Sequence, residues 1–196
     1  MIEYEKIYID VKNILSEKRF KHTEGVVSRA IEYAMVYNVD TQKVKLAAIL
    51  HDIAKEISKE ESYKKLEIYG VKLDNIEKRN FNLIHSILGA EIAKNEYGLE
   101  DDIVSAIRYH TTGKENMTIL EKIIYLADAT EPNRVYDNNE NELSLDELVE
   151  LIKSNIDKGL EYTLKWNLQS VIKRNLLVHL DSVKAYNFYH IQNNLE

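Results

Sequence analysis

The chain has 196 residues, with 26 Lys and Arg against 33 Asp and Glu, a formal net charge of −7 and no cysteine. Its length fits one domain with a sizeable core, and its negative charge disfavours nucleic acid as a partner because a polyanion would meet an unfavourable average field. The lack of cysteine excludes disulfides, thiolate metal sites and a cysteine nucleophile, as expected for a protein of the reducing cytoplasm.

Regular structure in this chain is predicted to be helical. Only 6 glycines and 1 proline are present, too few for the frequent tight turns of a many-stranded fold. The 3.6-residue apolar period predicts helices at Tyr4–Leu15, Arg19–Tyr37, Lys43–Lys55, Lys59–Tyr69, Asp74–Ala93, Ile103–His110 and Ile119–Ala129. The residues expected to cap or open these helices are Asp40 or Thr41, Ser58, Asp101 and Thr118.

The last third of the chain is predicted to contain a long loop and two helices. Residues Glu131–Leu143 hold the one proline and little periodic apolar content, and a long loop in a compact helical protein is often functional. Ser144 followed by Glu147 has the pattern of a capping box, which opens a hairpin of helices at Leu145–Trp166 and Leu168–Tyr189. We therefore expect residues 1–196 to form a single all-α domain with this hairpin, about residues 144–192, packed on it.

No membrane partner is expected for this chain. The first ten residues, MIEYEKIYID, lack the basic end and apolar stretch of a signal peptide, and the longest apolar runs, LAAIL and IIYLA, are too short to cross a bilayer.

A small set of histidines and aspartates stands out because their helical neighbours are apolar. His85 lies on the same helical ridge as Leu88 and Ile92, so its side chain should face the core. Each member alone has an ordinary explanation, since core histidines are common and a buried carboxylate is usually a cap or an ion-pair partner. Together they favour a metal site, because an isolated buried charge is costly without a partner or a metal. The set is His22, His51, Asp52, His85, His110 and Asp128.

Imidazole and carboxylate ligands suit iron, manganese, zinc and related divalent ions. A metal with open positions would lower the pKa of water and neutralise phosphate oxygens, two tasks of phosphoester hydrolysis. The ligand set alone therefore points to a hydrolase.

The same residues carry a family resemblance. The H…HD…H…H…D pattern resembles the HD-domain metal-dependent phosphohydrolases, an all-helical superfamily. Five strings are similar to its YqeK-type branch, the bacterial symmetrical bis(5′-nucleosyl)-tetraphosphatases: RFKHTEGV (19–26), LAAILHDIAKE (46–56), LIHSILGAEIA (83–93), IRYHTTGKENMTILEKIIYLADATEPNR (107–134) and VHLDSVKAYN (178–187). The resemblance covers about residues 19–187 and implies an HD-domain helical bundle.

This resemblance implies hydrolysis of diadenosine tetraphosphate to two molecules of ADP, with iron, manganese or another divalent ion as the cofactor. The number of bound ions, one or two, remains open. It implies that the metal ligands are His22, His51, Asp52 and Asp128. In related proteins the two middle histidines, here His85 and His110, hold a second metal or contact phosphate and water, and we expect phosphate contact and a catalytic role for both, together with Asp52.

Further residues are expected to bind the substrate. Lys55, three residues after Asp52, projects from nearly the same face and would be catalytic as well as phosphate-binding; its ordinary reading is a solvated lysine. Arg19 and Arg134 offer guanidinium forks that match phosphate oxygens, and Thr111 ends the His110 helix, where simple C-capping is the alternative.

The C-terminal string is less specific. His179 and Ser182 match a segment that closes over the nucleotide in related proteins, whereas a cap between helices is the other interpretation. Leu180 stands where the family pattern has proline, which puts the base contacts in doubt.

Three other functions remain open from the sequence. The first is an HD-type phosphohydrolase acting on another nucleotide, such as a nucleoside monophosphate, a cyclic nucleotide or a guanosine alarmone. The second is a nucleotide-binding module without turnover, and the third is a purely structural bundle. The sequence also allows a homodimer without requiring one, since no apolar stripe continues as coiled-coil heptads.

Overall fold

The computed structural model describes residues 4–134 and 143–194. Within these ranges the chain forms ten α-helices and no strand, which confirms the all-α fold. The helices are α1 (Tyr4–Ile14), α2 (Glu17–Tyr37), α3 (Thr41–Leu50), α4 (Lys59–Ile68), α5 (Ile84–Asn95), α6 (Asp101–Tyr109), α7 (Ile119–Ala129), α8 (Leu145–Ser154), α9 (Ile156–Lys173) and α10 (Leu180–Asn194). None of the described helices is both long enough and apolar enough to cross a membrane.

Most of the predicted caps are confirmed. The side chains of Asp40, Ser58 and Thr118 accept hydrogen bonds from backbone N–H groups in the first turns of α3, α4 and α7, and Ser144 forms the predicted capping box with Glu147. The prediction for Asp101 is wrong by one residue. Glu100 has the extended backbone of the capping position, and Asp101 is the first residue of α6.

Two of the long predicted helices are shorter than expected. The helix predicted at Lys43–Lys55 ends at Leu50, one residue before His51, because the backbone then tightens into hydrogen bonds between residues three apart, such as Lys55 N–H to the carbonyl of Asp52 at 2.9 Å. The predicted helix at Asp74–Ala93 instead starts as α5 at Ile84. Its first part is two 3₁₀ turns separated by Asn80, which has an extended backbone and caps the second turn with its side chain.

The predicted C-terminal hairpin is wrong as a pair of helices, because the segment contains α8, α9 and α10. Asn155 separates α8 from α9: its backbone is extended, with φ −154° and ψ 101°, and its side chain accepts hydrogen bonds from the N–H groups of Asp157 and Lys158. Asn175, with φ 54°, lies in the turn between α9 and α10. Residues 135–142, most of the predicted long loop, lie outside the described residues.

The core lies around α7, in which eight of the eleven residues are buried. Leu120, Ile123, Ile124 and Leu126 of this helix are within the apolar core, and each buried side chain of this size contributes about 1.5–3 kcal/mol. Helix α7 packs on α2, α3, α6 and α9, and α6 packs in turn on α5. This packing brings the second turn of α2, the end of α3, the start of α5 and the ends of α6 and α7 towards one point.

Candidate metal centre

The His51–Asp52 pair lies in the turn that follows α3. His51 is fully buried, and its Nδ1–H donates to the carbonyl of Ala48 at 2.7 Å. This bond makes Nδ1 a donor and directs Nε2 away from α3. His51 Nε2 is buried and has no hydrogen-bond partner among the described residues.

His85 and His110 repeat this arrangement. Each Nδ1–H donates at 2.7 Å to the carbonyl three residues earlier, that of Asn82 and that of Ile107 respectively, and the two Nε2 atoms lie 3.1 Å apart. Burial and then the nearby His51 lower the pKa of His110 to about 4. Burial, followed by the charge of Lys55, lowers the pKa of His85. Both rings are therefore neutral near pH 7, and their lone pairs face each other, an arrangement that a cation or a donor would stabilise.

The side chains of six residues form one cluster: His22, His51, Asp52, His85, His110 and Asp128. Each carboxylate oxygen of Asp52 faces a different pair of its imidazoles. Oδ2 lies 3.8 Å from His22 Nε2 and 3.7 Å from His51 Nε2, whereas Oδ1 lies 3.3 Å from His85 Nε2 and 3.8 Å from His110 Nε2. Burial raises the pKa of Asp52, but the attraction of His51 and Lys55 outweighs it and holds the pKa below its usual range. Asp52 is thus an ionised, buried carboxylate between four imidazoles.

His22 and Asp128 complete the cluster from α2 and α7. His22 Nε2 lies 3.2 Å from Asp128 Oδ1, and the Asp128 side chain is 25% exposed. Burial lowers the pKa of His22, but its contacts with Asp128 and Asp52 raise it by more, so the net shift is upward. For Asp128 the cost of burial is outweighed by the hydrogen bond from His22 and by the charge of Arg134, so its pKa is lowered.

The geometry of these groups fits a divalent cation. One set of ligand atoms that lie within 4.8 Å of one another comes from His22, His51 and Asp128, and a second comes from His51, Asp52 and His110. The unpartnered Nε2 of the buried His51 belongs to both sets. Since a buried polar atom without a partner is costly and imidazole with carboxylate suits divalent first-row metals, the cluster can hold one ion, or two that share ligands.

Three cationic side chains lie against this cluster. Arg19 binds Asp52 Oδ2 at 2.9 Å, Arg134 binds Asp128 Oδ1 at 2.9 Å, and the Lys55 ammonium lies 3.0 Å from His85 Nε2. Burial lowers the pKa of Lys55, an effect that the attraction of Asp52 opposes. All three residues come from the set predicted to bind phosphate.

A cavity of about 540 Å³ opens beside these residues. The described lining contains His22 of the cluster and more basic than acidic side chains: Lys18, Arg19, Lys21 and Arg134 against Glu56 and Glu131. An anionic ligand in this cavity would therefore reach the metal ligands through a basic entrance.

The remaining sequence-predicted residues fall into two groups. Thr111 lies in the cluster, with its hydroxyl 3.2 Å from both His85 Nε2 and His110 Nε2. His179 is buried elsewhere, with Nε2 3.5 Å from Asp74 Oδ2 and Nδ1 accepting from the N–H of Asp181. Ser182 donates its N–H to the His179 carbonyl at 3.2 Å. None of the described contacts of His179 and Ser182 involves the cluster, so their substrate contacts stay a prediction.

The sequence analysis missed one residue of this site, Glu131. The residue is 3% exposed, and its carboxylate accepts from His22 Nδ1 at 3.3 Å. The other oxygen accepts from the N–H of Asn133 at 2.7 Å. The string EPNR at 131–134 was available as a signal, but only its arginine was singled out.

Comparison with known proteins shows which family the sequence and the fold match. Residues 19–133 match the HD domain family. The symmetrical bis(5'-nucleosyl)-tetraphosphatase of Bacillus subtilis is 38% identical over 91% of this chain and 92% of its own length, and that of Halalkalibacterium halodurans is 36% identical over 90% and 91%. A crystal structure from Clostridium acetobutylicum, described as a predicted HD superfamily hydrolase involved in NAD metabolism, aligns with a TM-score of 0.90 at 34% identity, covering 98% of this chain and 99% of that one.

Proposed function

The chain belongs to the HD-domain family and, within it, to the symmetrical bis(5'-nucleosyl)-tetraphosphatases, and from this premise we propose that its cluster hydrolyses diadenosine tetraphosphate to two molecules of ADP. The observation that carries the proposal is the convergence of four imidazoles and two aspartates on one point, beside a basic cavity. A metal-dependent phosphoanhydride hydrolase needs both features side by side.

The proposed metal ligands are His22, His51, Asp52 and Asp128. A divalent ion held there would lower the pKa of water and neutralise phosphate charge. Asp52 supports this role best, because its two oxygens face different imidazoles and its low pKa keeps it ionised and ready to bind a cation. The short separation of His22 Nε2 and Asp128 Oδ1 supports their assignment to the same ion.

His85, His110 and Thr111 are proposed to contact phosphate, and Asp52 and Lys55 to assist catalysis. The neutral rings of His85 and His110 present Nε2 as an acceptor; Lys55 donates to His85 Nε2, and the single hydroxyl hydrogen of Thr111 can be donated to either Nε2. A phosphate oxygen that entered would take over these donors. Lys55 would then act as a mobile point charge on the equatorial oxygens.

Arg19 and Arg134 are proposed to bind the polyphosphate. In the described structure both guanidinium groups neutralise the aspartates of the cluster. With Asp52 and Asp128 committed to a divalent ion, the same forks would be available for phosphate oxygens, with which guanidinium groups form strong charge-assisted hydrogen bonds. Their place on the cavity wall supports this exchange.

A substrate panel tests the proposed specificity. Metal-quantified protein is incubated with diadenosine tetraphosphate, NAD, a nucleoside monophosphate, a cyclic nucleotide and a guanosine alarmone, and the products are separated by ion-exchange chromatography. The proposal expects turnover of diadenosine tetraphosphate with ADP as its one nucleotide product. Preferential turnover of a monophosphate or an alarmone would instead support another HD-type hydrolase, and metal-loaded protein without turnover would support a binding module.

The finer assignments of cofactor, location and assembly are also proposals. We propose iron as the resident ion, with manganese as the alternative, because mixed imidazole and carboxylate ligands suit both. The cytoplasm is proposed as the location on the ground that the chain has no cysteine. A homodimer stays a prediction from the sequence.

A further inference from the structure

His22 differs from the other imidazoles of the cluster in the group that holds its Nδ1. His51, His85 and His110 each donate to a backbone carbonyl, whereas His22 donates to the Glu131 carboxylate at 3.3 Å. A carboxylate is a charged acceptor, so it strengthens the hydrogen bond and raises the basicity of the opposite nitrogen. The opposite nitrogen is Nε2, the atom that faces Asp128.

Glu131 is itself held in place by a compact turn. Its second oxygen, Oε2, accepts from the backbone N–H of Asn133 at 2.7 Å and from the Asn133 side chain at 3.1 Å. The Glu131 carbonyl accepts from the N–H of Arg134 at 3.0 Å. A buried carboxylate is costly unless it is hydrogen-bonded, and here every described partner is a donor.

The direction of these contacts separates a positioning role from a purely structural one. Among the described residues, the hydrogen bonds of the Glu131 side chain go to its own turn and to His22. Among the described hydrogen bonds, the one to His22, the candidate ligand, is therefore the one that joins this carboxylate to α2. Arg134, from the same turn, binds Asp128, so side chains of the turn at 131–134 contact both His22 and Asp128.

We propose that Glu131 is the positioning residue of the metal centre, which holds the His22 ring with Nδ1 protonated and Nε2 presented to the ion. The proposal rests on the metal centre of the proposed function and does not depend on its substrate. Glu131 touches neither the ion nor the phosphate in this scheme. It acts through His22 alone.

The test measures Mn²⁺ binding to chelator-treated protein by calorimetry, with Glu131→Ala and Glu131→Gln as variants. Loss of an outer-shell partner costs about 10- to 100-fold in metal affinity. We expect a loss of this size for Glu131→Ala and a smaller one for Glu131→Gln, whose amide oxygen still accepts from Nδ1–H. Unchanged affinity in a folded Glu131→Ala variant would overturn the proposal, and if that variant does not fold, the Gln variant decides.

Glu121→Gln is the matched control. Glu121 is also a buried carboxylate, but it holds the capping box of α7 and an ion pair with Lys114. We expect this variant to lose stability and to keep the wild-type affinity for Mn²⁺. A loss of affinity equal to that of Glu131→Gln would show that any buried carboxylate has this effect and would contradict the specific role of Glu131.

A double-mutant cycle tests whether Glu131 acts through His22. In a His22→Gln background, Glu131→Gln should change Mn²⁺ affinity no further, and an equal loss in both backgrounds would overturn the proposal. A two-bond ¹H–¹⁵N NMR spectrum of His22 gives a readout that needs no metal. It should show a protonated Nδ1 in the wild type, and Glu131→Ala should shift the Nδ1 resonance, whereas an unchanged Nδ1 resonance would overturn the proposal. A wild type that bound no Mn²⁺ would remove the proposed metal centre while this spectrum still decided the role of Glu131.

Discussion

Because α2 lies close to the turn after α7, we expect Gly25→Ala to weaken metal binding while the protein stays folded. A Cβ at Gly25 would lie 2.9 Å from Asn133 Nδ2 and 3.3 Å from Glu131 Cδ, and closer still to Glu131 Oε2. Ordinary contacts of a carbon atom lie near 3.5 Å or beyond. The Glu131 carboxylate must therefore move away from its present position, and the hydrogen bond to His22 moves with it.

The substitution affects folding stability and metal affinity separately. Alanine in the middle of a helix stabilises the fold by about 1 kcal/mol relative to glycine. The displacement of Glu131 disturbs its hydrogen bond to His22, so we expect the metal affinity to fall by about 10-fold or more. Because the displaced atoms are side-chain ends, the variant should stay folded while it binds metal less tightly.

Gly89→Ala is the matched control for this prediction. Gly89 is also within a helix, α5, and its added Cβ would meet the His51 carbonyl and Ile107 at 3.5 Å, which is ordinary contact. Urea unfolding followed by circular dichroism should show a gain of about 1 kcal/mol for Gly89→Ala, with unchanged Mn²⁺ affinity in calorimetry. Wild-type Mn²⁺ affinity in Gly25→Ala would refute the reasoning.

Three further predictions concern the site and the fold. Arg134→Ala should lower kcat/KM for diadenosine tetraphosphate by about 10- to 100-fold and keep the bound metal, since one charge-assisted hydrogen bond is lost; loss of metal in elemental analysis would contradict its assignment to phosphate. The pKa of His110 is lowered to about 4 in the folded chain, so as the pH falls the unfolded chain binds a proton at this group before the folded chain does. The free energy of unfolding of the metal-free protein should therefore fall by about 2 kcal/mol through this group between about pH 7 and about pH 4.5. Chemical denaturation at both pH values should show this loss in the wild type and not in His110→Gln, and an equal loss in both would contradict it. Asn155→Ala should destabilise the protein by about 0.5–2 kcal/mol through loss of the α9 cap, with unchanged Mn²⁺ affinity.

The burial of two of the histidines was predictable from helical periodicity. His85 and His110 share helical ridges with aliphatic residues, so burying those ridges necessarily buries the imidazoles, as observed. The place of Glu131 was not predictable in this way. It follows the last turn of α7, where periodicity no longer applies, and its burial depends on the small size of Gly25, more than one hundred positions earlier.

The ends of the helices were harder to predict than their existence. Leu151, Ile152 and Ile156 continue one apolar period through the break between α8 and α9, so the pattern alone gives no sign of it. Asn155 ends one helix and caps the next through its own side chain, a local competition that hydrophobic periodicity does not record. Asn80 has the same effect ahead of α5.

The most direct test of the account is a product analysis of wild type and His51→Ala side by side, with the metal content of both determined. His51 contributes to both candidate ligand sets, and its unpartnered Nε2 is the atom that a bound ion would satisfy. The account predicts ADP as the one nucleotide product of diadenosine tetraphosphate in the wild type, and no metal and no turnover in the variant, with helical circular dichroism retained. AMP together with ATP from the wild type would contradict the symmetrical reaction, and full turnover by His51→Ala would contradict the metal centre itself.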